Sequence, residues 1–82
     1  MISINVKLFA MARDLAGTGE TTLSLEEGVA ASRVLDYFVH RNPKFSHWRD
    51  HIRIAVNSEY VDQNYPLHDG DEVAIIPPVS GG

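Results

Sequence analysis

The first eight residues, MISINVKL, constrain this chain more than any other stretch. Ile2, Ile4, Val6 and Leu8 alternate with Ser3, Asn5 and Lys7, the period-two pattern of a strand with one buried and one open face. A second alternation, Thr21, Leu23 and Leu25 against Thr22 and Ser24, follows within hairpin distance, so the two strands are expected to pair antiparallel. Between them, AMARDLAG at 10–17 loses the alternation and ends in Gly17, and reads as a short helical turn or loop.

After the Glu26-Glu27-Gly28 break, Ala31, Val34, Leu35, Phe38 and Val39 recur at spacings of three and four. That spacing is one apolar face of a helix. Asn42-Pro43 ends it, because proline pushes the residue before it out of the helical region. Phe45 and Trp48 are expected to cover an end of the core. Ile52, Ile54 and Val56 alternate as a third strand, Asn57-Ser58 is a turn, Glu59–Asp62 is a short fourth strand, and Glu72–Ile76 is the last.

One amphipathic helix can cover one face of one small mixed sheet, which gives an α+β two-layer domain. A hairpin, a helical crossover and a closing strand are most compactly arranged with the first and last strands side by side at the centre. The expected fold is therefore the β-grasp, or ubiquitin-like, arrangement: a mixed sheet of four to five strands on one main helix. With 82 residues the chain has room for one such domain, 1–82, and no second. Residues 2–76 are expected to be compact.

Composition narrows the chemistry. There are no cysteines, which excludes a disulfide framework, thiolate metal ligation and a cysteine nucleophile, and suits a reducing compartment. MISINVKLFA lacks the basic and long apolar regions of a signal peptide, and no stretch has the apolar length of a membrane span, so a cytoplasmic protein without membrane contact is expected. Net charge is −4, and residues 54–82 hold Glu59, Asp62, Asp69, Asp71 and Glu72 with no Lys or Arg. Nucleic acid is a poor partner for that half, because phosphate binding needs clustered cations.

Side-chain machinery is sparse. His47 and His51 stand at i, i+4 without an evident third ligand; His40 and His68 have no assigned role. Asp69, Asp71 and Glu72 lack the spacing of a calcium loop and read as turn residues. Glu26-Glu27 reads as solvated, and Ser80 lacks the context of a nucleophile elbow. No metal site is expected. By elimination the special group is the α-carboxyl of Gly82, at the end of PPVSGG, 77–82. Pro77 and Pro78 cannot extend a central ladder. Gly81 and Gly82 present the slimmest cross-section a chain can offer. Six extended residues reach roughly 20 Å, and with few anchors after Val79 the tail is expected to be mobile.

Three blocks, KLFAMARDLAG (7–17), AVNSEYVD (55–62) and PLHDGDEVAIIPPVSGG (66–82), resemble the small, sulfur-carrier subunits of molybdopterin synthase. The chain departs from that pattern at Asp14, Ser58, Ile75-Ile76 and Ala30. The resemblance implies that an activating enzyme uses ATP to adenylate Gly82, that sulfur transfer from a sulfurtransferase donor makes a thiocarboxylate, and that the tail then delivers sulfur to a pyranopterin precursor. The acceptor would be the large synthase subunit, in a heterotetramer. On that reading the chain is no enzyme on its own and holds no permanent cofactor. Gly82 bears the sulfur and Gly81 lets it pass, while Phe9, Ile75, Ile76, Pro77, Pro78, Val79 and Ser80 meet the partner. A carrier for thiazole or cysteine synthesis, a ubiquitin-like modifier, and an inert interaction module remain open alternatives.

Overall fold

The computed structural model describes residues 1–78. Its elements are β1 (Ile2–Leu8), α1 (Ala10–Ala16), β2 (Glu20–Leu25), α2 (Ser32–Arg41), two 3₁₀ turns (Pro43–His47 and Arg49–His51), β3 (Arg53–Val56), β4 (Glu59–Val61) and β5 (Glu72–Ile76). The strands form one sheet in the order β2-β1-β5-β3-β4. β1 pairs antiparallel with β2 and parallel with β5, and β3 pairs antiparallel with both β4 and β5. First and last strands lie side by side at the centre, as the β-grasp arrangement requires. Residues 79–82, where mobility was expected, lie outside the described residues.

The core forms where the period-two face of the sheet meets the period-3.6 face of α2. Ile2, Ile4, Val6, Leu8, Leu23, Ile54, Val56, Val73 and Ile75 come from the strands, and Ala31, Val34, Leu35 and Phe38 from the helix side; all are buried. Phe45 and Leu67 close the two ends and are also buried. Trp48 does not share that role. It is 40% exposed, because the 3₁₀ turn that seats Phe45 against Phe38, at 5.6 Å between ring centroids, carries Trp48 past the edge of the core.

Helix α1 is more regular than a loop, although its seven residues offer little intrinsic stability. Gly17 ends it in the left-handed region at φ 78° and returns its N–H to the Arg13 carbonyl at 2.9 Å, a C-terminal stop that suits glycine. Helix α2 has no side-chain N-cap. The loop before β5 substitutes for one, since the N–H groups of Ala31 and Ser32 donate to the carbonyls of Tyr65 and Gln63, both at 2.8 Å. Asn42 ends α2 and starts the next turn. Its Oδ1 accepts from the Lys44 N–H at 3.1 Å, and its Nδ2 donates to the Leu15 carbonyl at 3.0 Å.

The β3–β4 hairpin turns on Asn57 and Ser58, with φ 52° and 73°. Positive φ at both central residues matches the twist of the flanking strands and favours Asn-Gly. Here the second place is serine, which carries a Cβ into a region that disfavours it.

A candidate docking face beside the tail-bearing strand

Among the described residues no helix covers the face of the sheet turned away from α2. Its residues are those that alternate out of phase with the core. In register across the sheet, Lys7 lies opposite Ala74, Ala74 opposite Ala55, and Ala55 opposite Tyr60. Ile76 lies opposite Arg53. The two alanines leave a low apolar floor. Tyr60, 60% exposed, forms one wall, and the Arg53 guanidinium sits 4.5 Å from the centre of its ring, close enough for a cation–π contact. At the other side Lys7 reaches Glu72 at 3.4 Å.

Phe9 stands at the end of this face nearest the chain's exit. Leu8 and Ile75 are the last register pair of β1 and β5, so period two puts the next residues, Phe9 and Ile76, on the open side together. Phe9 is 48% exposed and occupies the N-cap position of α1 with φ −121° and ψ 155°. An aromatic ring has no oxygen to accept from the helix N–H groups, so it does nothing for the helix there. The next residue, Ala10, has φ 49°, a left-handed conformation that costs a non-glycine residue about 1–2 kcal/mol. Local stability thus explains neither residue.

The expected contact set is only partly assembled. Ile75 is fully buried, between Leu8 and Ile54, and is not a surface residue. The correction follows from register: Val73 pairs with Val6 and Val56 on the helix side, so Ile75 must share that side and Ile76 must oppose it. Pro77 continues the inward phase and is buried, while Pro78 is exposed. Exposed Phe9 and Pro78 and half-buried Ile76 therefore form the accessible part of the set within the described residues. Val79, Ser80, Gly81 and Gly82 lie outside them. Ala55, Ala74, Arg53, Tyr60 and Lys7 were not singled out from sequence, although each alternates with a core residue and that phase was the available signal.

The other sequence candidates resolve into structure. Asp71, 9% exposed, accepts from the His68 N–H at 2.8 Å and from Asn57 Nδ2 at 2.9 Å. Asp69 accepts from the Ser3 N–H at 2.7 Å. Both carboxylates tie the turn before β5 to β1 and to the hairpin. His47 and His51 fall on separate 3₁₀ turns, both exposed. Among the described residues no group of three or more His, Asp or Glu is placed to hold a metal ion, and no helix is long and apolar enough to cross a membrane.

Comparison with known proteins follows the same outline. The model of the ThiS family matches residues 6–82. The molybdopterin synthase sulfur carrier subunit of Arabidopsis thaliana is 38% identical over 81 residues, covering 99% of this chain and 84% of that one. The structure of a putative molybdopterin converting factor subunit 1 from Pyrococcus furiosus superposes with a TM-score of 0.85 at 34% identity, over 96% of this chain and all of that one. Small archaeal modifier protein 1 from Methanosarcina acetivorans superposes with a TM-score of 0.76 at 32% identity, over 100% and 98% of the two chains. With a match that begins inside β1 and runs through β5 into the Gly-Gly end, this chain belongs to the ThiS family.

Proposed function

We propose that this chain is the sulfur-carrier subunit of a molybdopterin synthase, with Gly82 as the sulfur-bearing residue and the open sheet face as the dock for the large subunit. The observation that carries the reading is continuity. The open face, with exposed Phe9, half-buried Ile76 and Ala74, and Ala55 beside them on β3 as its buried floor, runs along β5, and β5 leads directly into the Pro77-Pro78 exit and the Gly-Gly end. A partner seated on that face receives the tail without a separate recognition step. Similarity to the Arabidopsis thaliana sulfur carrier subunit, 38% identical over 99% of this chain, supports the same assignment.

A carboxylate is a poor electrophile. In the proposed sequence an activating enzyme lets a Gly82 carboxyl oxygen attack the α-phosphate of ATP, releasing pyrophosphate and leaving an acyl-adenylate. Sulfur from a sulfurtransferase donor, delivered at the sulfide level, displaces AMP and gives the thiocarboxylate. In the large subunit the sulfur passes to a pyranopterin precursor, and water restores the carboxylate. The chain is a co-substrate in this scheme, holds no cofactor of its own, and works in the cytoplasm in a heterotetramer with its large subunit.

The direct test is intact-mass analysis after incubation with activating enzyme, ATP and a sulfur donor. One sulfur should replace one oxygen, at Gly82, and deletion of Gly82 should abolish the change while leaving the fold intact. Normal sulfur transfer by the deletion variant would end the proposal. Likeness to small archaeal modifier protein 1 favours one second reading, conjugation of Gly82 to lysines of other proteins. That reading predicts isopeptide-linked adducts in place of thiocarboxylate turnover.

A further inference from the structure

The seam between β2 and α2 plays no part in the proposed sulfur transfer. Among the described residues β2 is an edge strand, paired with β1 alone. The Leu8 N–H donates to the Gly19 carbonyl at 2.9 Å, and antiparallel alternation from that bond turns the backbone groups of Thr21, Leu23 and Leu25 toward β1. Those of Glu20, Thr22 and Ser24 turn outward. Thr18 closes one end, its hydroxyl donating to the Glu20 carbonyl at 2.8 Å and accepting from the Glu20 N–H at 3.3 Å. At Thr22 and Ser24 no described residue bonds the outward backbone groups.

Beside this open edge lies a cleft of about 440 Å³ lined by Leu25, Arg33, Asp36, Tyr37, His40 and Arg41. A second cleft of about 210 Å³ shares Leu25 and Arg33 and continues the seam toward Val29 and Met1. The floor is apolar, and along α2 the rim carries Arg33, His40 and Arg41 with Asp36 among them, while Glu26 lines the end toward Val29. Asp36 is engaged by Arg49 at 2.5 Å, whereas Arg33 and Arg41 form no ion pair among the described residues. They stand eight residues apart on α2, about 12 Å along the axis, and Arg41 lies 5.5 Å from the centre of the Tyr37 ring.

We propose that this seam takes an extended segment of a partner protein, with alternating apolar residues and a flanking run of carboxylates, as a sixth strand beside β2. The outward groups of Thr22 and Ser24 supply the ladder, the inward side chains of the added strand fill the cleft over Leu25 and Tyr37, and Arg33 and Arg41 meet the carboxylates. Charge complementarity selects this occupant over a neutral or basic strand. A second copy presenting its other edge, β4, is a poorer occupant. The acidic edge strand β4 is only three residues long, its Tyr60 is engaged by Arg53, and a β4-to-β2 contact would not close on itself.

The test uses the full chain, ¹⁵N-labelled, and four synthetic decapeptides with a Val-Ile-Val-Ile core bearing three glutamates or three lysines, before or after it. At least one glutamate peptide should shift the amides of Thr22, Ser24, Leu25 and Tyr37 saturably, and the matched lysine peptide should bind at least tenfold more weakly. Arg33→Glu with Arg41→Glu should reverse that preference; both side chains are exposed. Thr22→Pro, which removes one outward donor, should weaken binding at least tenfold. Equal affinity for both charges, insensitivity to the double variant, no saturable shift from either glutamate peptide, or self-association through Thr22 and Ser24 would each overturn the proposal. None of these readouts depends on Gly82.

Discussion

The two faces of the sheet are built by the same strands and do opposite jobs. On one, Ile4, Val6, Val73, Ile75, Ile54 and Val56 are sealed under α2. On the other, one step out of phase along each strand, stand Asn5, Lys7, Ala74, Ile76, Arg53 and Ala55. Branched aliphatics fill the first because close packing rewards shape. The second is mixed, small, polar and charged beside the single isoleucine Ile76, and on the proposed reading a partner completes it. In a chain this short, fold and recognition are separated by a single step along a strand.

Adjacent isoleucines give the sharpest way to break that contrast. Ile75→Ala should cost about 2–5 kcal/mol of unfolding free energy, since it empties a fully buried site, and Ile76→Ala should cost far less; equal losses in urea denaturation would refute the division. Ile76→Asp should weaken large-subunit binding about tenfold while lowering stability by roughly 1 kcal/mol or less, readable by calorimetric titration beside a denaturation curve. Ser58→Gly tests a position on neither face. Relieving the positive φ of Ser58 should raise stability by up to about 1 kcal/mol and leave binding unchanged. The smallest effect is expected at Lys7→Gln, which removes an ion pair whose partners are 41% and 44% exposed; stability should change by less than about 1 kcal/mol, and a larger loss would mean that the open face contributes to folding.

Legibility in the sequence follows the range of the interaction that decides each feature. Strands β1, β2 and β5 and helix α2 were readable because their periodicities are long or bounded by clear stops such as Asn42-Pro43. The face taken by Ile75 was not readable, because a short apolar run has no phase of its own and takes it from Val6 and Val56 on neighbouring strands. Trp48 misled for a similar reason: its apolar bulk matched Phe45, and only the geometry of the turn separates them. The capping of α2 by the carbonyls of Gln63 and Tyr65 joins segments some thirty residues apart through backbone atoms, which leave no side-chain signature. Of the docking set, Phe9 was legible as an apolar residue just beyond a strand, whereas Tyr60 and Arg53 become neighbours only through the hairpin.

The central place of β5 has a mechanical consequence. β5 is flanked by β1 on one side and β3 on the other, so traction applied to the segment beyond Ile76 pulls the strand lengthwise between two neighbours. The ladder bonds on both sides then share the load in shear, where an edge strand would peel away one bond at a time. An enzyme that grips the Gly-Gly end to align it, and later lets it go, can draw on the tail without unravelling the domain that carries it. Pulling between residue 2 and the tail should accordingly require more force than pulling β2 away from its edge, and a reversed order in single-molecule stretching would show that the anchor lies elsewhere.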